Sequence, residues 1–123
     1  MTNSVLSESE LEQEEAASRA SAQTALQNSG YFRRWQGPFG AVPVQFLAEL
    51  TSGEFVYFRA RGQKLSMQIA ATAADWQESL YLASFEEPYR HALDTLGAGL
   101  CPPDRCAAQI LTWLKLYHEA RLA

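Results

Sequence analysis

Cysteine is scarce in these 123 residues: only Cys101 and Cys106 occur. Two thiols build neither a disulfide framework nor, by themselves, a four-ligand zinc site. Their CPPDRC spacing matches neither the CxxC of redox pairs nor a common zinc knuckle, so both read as free thiols, with Cys106 buried in a C-terminal helix. Long apolar runs are also missing. Nothing approaches the roughly 18 consecutive apolar residues of a membrane helix. The stretch MTNSVLSESELEQEE has no basic segment followed by an apolar one, so the expectation is a cytoplasmic protein without a secretory leader. The seven glycines are scattered turn formers. No glycine-rich phosphate loop, GxSxG or HExxH can be drawn from them or their neighbours. No internal repeat or low-complexity tract occurs, and no catalytic residue, cofactor or metal site is assigned.

What is present is ordinary for a packed protein. Apolar residues make up 47% of the chain, with three Trp, five Tyr and six Phe, enough for one hydrophobic core at this length. The net charge of −4 is unevenly placed. Glu8, Glu10, Glu12, Glu14 and Glu15 face only Arg19 in the first 28 residues. Arg33, Arg34, Arg59, Arg61 and Lys64 then outnumber Glu49 and Glu54, and Asp75, Glu78, Glu86, Glu87 and Asp94 follow with Arg90. The order is acidic, basic, acidic.

Periodicity supplies the architecture. Ser7 and Glu10 stand at capping-box spacing, and Ala, Glu, Gln and Leu lead to a stop at Asn28, Ser29 and Gly30, which predicts a helical arm over residues 1–29. Its apolar face is thin, with Leu6, Leu11 and Leu26 among alanines, so the arm is expected to be mostly exposed and loosely held. Residues 30–123 form the single remaining domain. Tyr31 to Pro43, broken by Gly37, Pro38 and Gly40, reads as an aromatic connector. Val44–Leu50, Glu54–Arg61 and Lys64–Ala70 alternate with period two and are joined by short turns, giving an antiparallel meander. Ala71–Asp75 reads as a loop. Trp76–Phe85 fits strand or helix, with a fourth strand favoured. Glu86, Glu87 and Pro88 suggest the start of a short helix to Leu96, and Asp104 caps a last helix to about Leu122. The fold class is therefore α+β: a three- to four-stranded antiparallel meander packed on a C-terminal helix, with an N-terminal acidic helical arm. The expected core joins Val44, Phe46, Val56, Phe58, Leu65, Met67 and Ile69 to Ile110, Leu111 and Leu114.

Three constellations could carry chemistry. Phe55, Tyr57, Arg59 and Arg61 share one strand face, with Lys64, Gln68, Gln45 and Leu47 on neighbouring strands. Interleaved aromatic and cationic side chains suit a protein partner, or stacked bases and phosphates. The competing structural reading covers Phe55 and Tyr57 with the N-terminal helix or the aromatic connector and pairs the arginines with carboxylates. Glu87 and His91 stand four apart beside Glu86, with His118 and Glu119 on the last helix, but no third ligand or nucleophile accompanies them. The two cysteines form the third set, read as structural.

These observations point to a small non-enzymatic protein-binding or adaptor module acting through an open sheet face, the N-terminal arm, or both. The partner would be another protein or a second copy, with no membrane. One alternative is a small ligand-binding domain or enzyme with a pocket lined by Trp35, Trp76, Tyr57 and Arg59. A second is nucleic-acid binding through Arg33, Arg34, Arg59, Arg61 and Lys64, which the acidic composition disfavours.

Overall fold

The alternation in the middle of the chain becomes strands whose side chains divide cleanly between two faces. A computed structural model describes residues 8–40, 43–89 and 101–122. In chain order the elements are α1 (Glu8–Ser29), β1 (Phe32–Phe39), β2 (Val44–Leu50), β3 (Phe55–Arg61), β4 (Lys64–Ala70), α2 (Ala73–Gln77), β5 (Tyr81–Pro88) and α3 (Pro103–Leu122). The strands form one antiparallel five-stranded sheet in the order β1-β2-β3-β4-β5, an uninterrupted meander. The architecture is α+β, with five strands where the sequence suggested three or four.

The core lies between this sheet and the two long helices. Val44, Phe46, Ala48 and Leu50 of β2 face inward, as do Val56, Phe58 and Ala60 of β3 and Leu65, Met67 and Ile69 of β4. They meet Cys106, Ala107, Ile110, Trp113, Leu114 and Tyr117 of α3. Trp113 lies 6.2 Å from Phe58 and stacks at 5.6 Å on Phe85, bringing β5 under the helix. Leu111 packs at the margin of this core. The inward faces of β2, β3 and β4 are those the alternation assigned.

α1 lies chiefly against α3 and also touches β1. Its Ala22 and Leu26 are fully buried, whereas the described side chains from Ser9 to Ala17 are all exposed. Burial of Leu26 contributes about 2 kcal/mol. Polar ties add to it: Trp35 Nε1 donates to Gln23 Oε1 at 2.8 Å, and Gln23 Nε2 donates to the Gly37 carbonyl at 2.8 Å. Ser18 Oγ donates to Asp104 at 2.9 Å, joining α1 to the first turn of α3.

Several expectations need correction. The aromatic connector is largely strand β1. Its pairing with β2 carries irregularities between Phe32 and Arg34 and between Gln36 and Phe39, which hide the alternation. Gly37 sits in the second of these, at φ +95°, and a Cβ there would meet the Gln45 carbonyl at 2.6 Å. A β-strand at the sheet edge tolerates Pro38 because the outer row of N–H groups needs no partner. The ambiguous stretch from Trp76 divides into the end of α2 and the strand β5, with Ser79 at φ 59° between them. Thr72 caps α2 by accepting from the Asp75 amide at 3.0 Å, so the expected loop at 71–75 holds most of a helix. Glu86, Glu87 and Pro88 end β5 instead of opening a helix. From Arg90 on, that expected helix, His91 included, lies outside the described residues, as do Leu6 and Ser7. No helix among the described residues is long and apolar enough to cross a membrane.

Candidate protein-binding face

Antiparallel register lines up one row of outward side chains across all five strands: Gln36, Leu47, Tyr57, Gln68 and Ser84. A parallel row holds Gln45, Arg59, Ser66 and Glu86, and another holds Arg34, Glu49 and Phe55. This face lies opposite α1 and α3. Its one helical cover among the described residues is the five-residue α2.

Trp76 of α2 stands over the centre of the face. Its ring lies 4.7 Å from Tyr57 and 5.6 Å from Phe55, and its Nε1 donates to Gln68 Oε1 at 3.3 Å. Gln45 Nε2 donates to the Tyr57 hydroxyl at 3.0 Å from the other side. Tyr57 is therefore buried at 9% exposure, although it points away from the main core. The cover on Phe55 and Tyr57 is this tryptophan, not the N-terminal helix or the connector. Between α2 and the β1–β2 side of the face runs a cleft of about 490 Å³, lined by Arg34, Leu47, Glu49, Phe55 and Thr72 among others.

The charges on the face divide into paired and unpaired. Glu49 accepts from Arg33 at 3.1 Å and from Arg34 at 3.3 Å, and Lys64 donates to Glu86 at 2.8 Å. Arg59 and Arg61 make no ion pair among the described residues. The Nε of Arg59 is shielded from solvent and has no hydrogen-bond partner. Of the five residues the alternation grouped here, Phe55, Tyr57 and Arg59 are partly or largely buried, while Arg61 and Lys64 are exposed at the strand ends. Trp76, which the sequence grouped with Tyr57 and Arg59 as a pocket wall, does stand beside Tyr57, but it is carried there by α2, an element the sequence reading missed and whose signal was the Thr-x-x-Asp cap.

The remaining constellations lie apart from this face. His118 stacks on Tyr31 at 4.9 Å, and its Nδ1 lies 2.7 Å from the Leu114 carbonyl, a packed helix-surface histidine. Cys101 and Cys106 are both buried and free. The Cys106 thiol donates to the Cys101 carbonyl at 3.8 Å. Hydrogen bonding from Cys106 holds the Cys101 thiol below its usual range despite burial, and the same bond together with burial pushes Cys106 far up. Among the described residues no three His, Cys, Asp or Glu side chains are grouped to hold a metal ion. A larger cleft of about 950 Å³ opens between α1, the end of β1 and the start of α3, lined by Ser18, Phe39, Val44, Cys101 and Asp104 among others. Trp35, expected as a pocket wall with Trp76, packs on Phe32 at 5.8 Å, donates to Gln23 and lines the smaller cleft. Compared with protein-family models, curated proteins and solved structures, the chain matches none.

Proposed function

We propose that this protein is a small non-enzymatic binding module that holds another protein against the sheet face opposite its two long helices. The observation that carries this reading is unequal coverage. Among the described residues, one face is covered by α1 and α3, while the other has only α2 above it and keeps a cleft with apolar Leu47 and Phe55 beside charged side chains. A mixed apolar and charged concavity on a rigid sheet is the usual composition of a protein-binding surface. Phe55, Tyr57, Arg59, Arg61 and Lys64 belong to it, together with Leu47 and Trp76. A cytoplasmic location belongs to the same proposal and is supported by two thiols left unpaired.

Site-specific photocrosslinking in the native cell tests it. A photoreactive phenylalanine analogue replacing Gln36, exposed at the end of the outward row, should yield one defined protein adduct. The same analogue replacing Thr112, on the outer side of α3, should not. Adducts from Thr112 and none from Gln36 would refute the assignment of the face.

A further inference from the structure

Among the described residues, every arginine and lysine side chain on or beside the outward face has a carboxylate partner except two. Arg33 and Arg34 share Glu49, and Lys64 holds Glu86. Arg59 and Arg61, two residues apart on the central strand β3 and therefore on one face, have no ion pair among the described residues. This holds in a chain whose net charge is −4, where carboxylates are abundant. Arg59 carries a further deficit, because its Nε is out of solvent with no acceptor. The group that fits a guanidinium fork best is a carboxylate.

Resting on the binding face proposed above, we infer that the partner presents an acidic segment: a carboxylate side chain seated on Arg59 and Arg61, with an apolar side chain of the same segment in the Leu47–Phe55 cleft. The two anchor points adjoin. Leu47 pairs with Tyr57 and Gln45 with Arg59, so one step of two residues along β2 leads from the cleft to the arginine row, about 7 Å in an extended segment. The acidic α1 of the same molecule does not fill this role, because it packs on α3 behind the opposite face.

A nucleic-acid strand fits the site less well. Two unpaired guanidiniums offer little against a run of phosphates, and the one tryptophan on the face is already packed on Tyr57 and Phe55. Glu49 and Glu86, on the same face, would repel neighbouring phosphates.

The test is fluorescence anisotropy of the full chain with three labelled peptides of alternating sequence, Leu-Glu, Leu-Ser and Leu-Lys, and with a single-stranded oligonucleotide. The Leu-Glu peptide should bind best, and its affinity should fall with added salt. Arg59→Gln and Arg61→Gln should each weaken it by about tenfold, the loss expected for a charge-assisted hydrogen bond. Arg59→Lys should recover only part of that loss, since it restores charge without the planar fork. If Arg59→Gln does not fold, Arg61→Gln carries the test, because Arg61 is exposed at the strand end. Equal binding of the three peptides, tighter binding of the oligonucleotide, or no effect of Arg61→Gln overturns the inference. The same variants made in the Gln36 crosslinking protein separate the two proposals. An adduct that survives loss of both arginines leaves the binding face standing and removes the acidic segment, whereas absence of any Gln36 adduct removes the face itself.

Discussion

The Tyr117 hydroxyl donates to Oε2 of Glu54 at 2.9 Å, a buried bond across 63 positions of sequence that ties the end of α3 to the β2–β3 turn. Ser52 and Arg121 also donate to this carboxylate, and the Glu54 carbonyl accepts the Leu50 amide at 2.9 Å. Glu54 is 7% exposed. Burial pushes its carboxyl up, but the hydrogen bonds from Ser52 and Tyr117 and the Arg121 charge outweigh it, so the carboxyl lies below the usual carboxylate range. Burial and the bond to Glu54 hold the Tyr117 phenol above its ordinary value, so it stays protonated as the donor.

A depressed folded-state pKa means that Glu54 contributes stability above the unfolded carboxylate range, and that this is lost as pH falls through the folded value. Glu54→Gln should lower stability at neutral pH by about 1–3 kcal/mol, the cost of disturbing a buried charge-assisted cluster. The gap between wild type and variant should close towards acid pH. Urea denaturation across that range measures it, and a gap that widens on acidification would show that the carboxylate is not favoured in its ionised form.

Phe46 and Phe58 are directly opposite each other on the inner face and wholly buried. Phe58→Ala should cost about 3–5 kcal/mol through the cavity it leaves. Gln45→Ala, one residue away on the outer face, removes only a hydrogen bond to Tyr57 and should cost about 1 kcal/mol. Equal small effects would show that the register is inverted.

The strands that period two revealed, β2, β3 and β4, are the ones flanked by partners on both sides. Their inner faces are buried and their outer faces partly exposed, so composition follows the pleat. β1 and β5 are edge strands. β1 has Arg33 and Arg34 side by side and a bulge at Gly37–Pro38, and no β5 side chain is fully buried, so neither needs a strictly alternating composition. A five-residue helix such as α2 is too short to show periodicity, and its reason to form is the contact of Trp76 with Tyr57 and Gln68. The grouping of Phe55, Tyr57, Arg59 and Arg61 was legible from alternation alone. That Glu54 is buried was not, because its partners Tyr117 and Arg121 lie on a distant helix.

Trp76 holds α2 on the sheet. Trp76→Ala should release residues 73–77 to fast amide exchange and expose Tyr57, while global stability falls by about 1–2 kcal/mol, since only ring contacts and one hydrogen bond are lost. Unchanged exchange in that segment would mean that Thr72 capping alone maintains the helix.

Docking of α1 is concentrated in its last turns. Leu26→Ala should cost about 2–5 kcal/mol, whereas removing residues 1–17 should change stability by about 0.5 kcal/mol, because the described side chains there are exposed. Thermal melts of the two variants compare these directly. A large loss on truncation would show that the acidic turns contribute to the fold.

The most direct test of the binding face is hydrogen exchange on the protein alone and in complex with the partner captured through Gln36. Added protection is expected in β2, β3 and α2, centred on Leu47, Phe55 and Arg59, with the outer surfaces of α1 and α3 unchanged. Protection confined to α1 and α3 would contradict it.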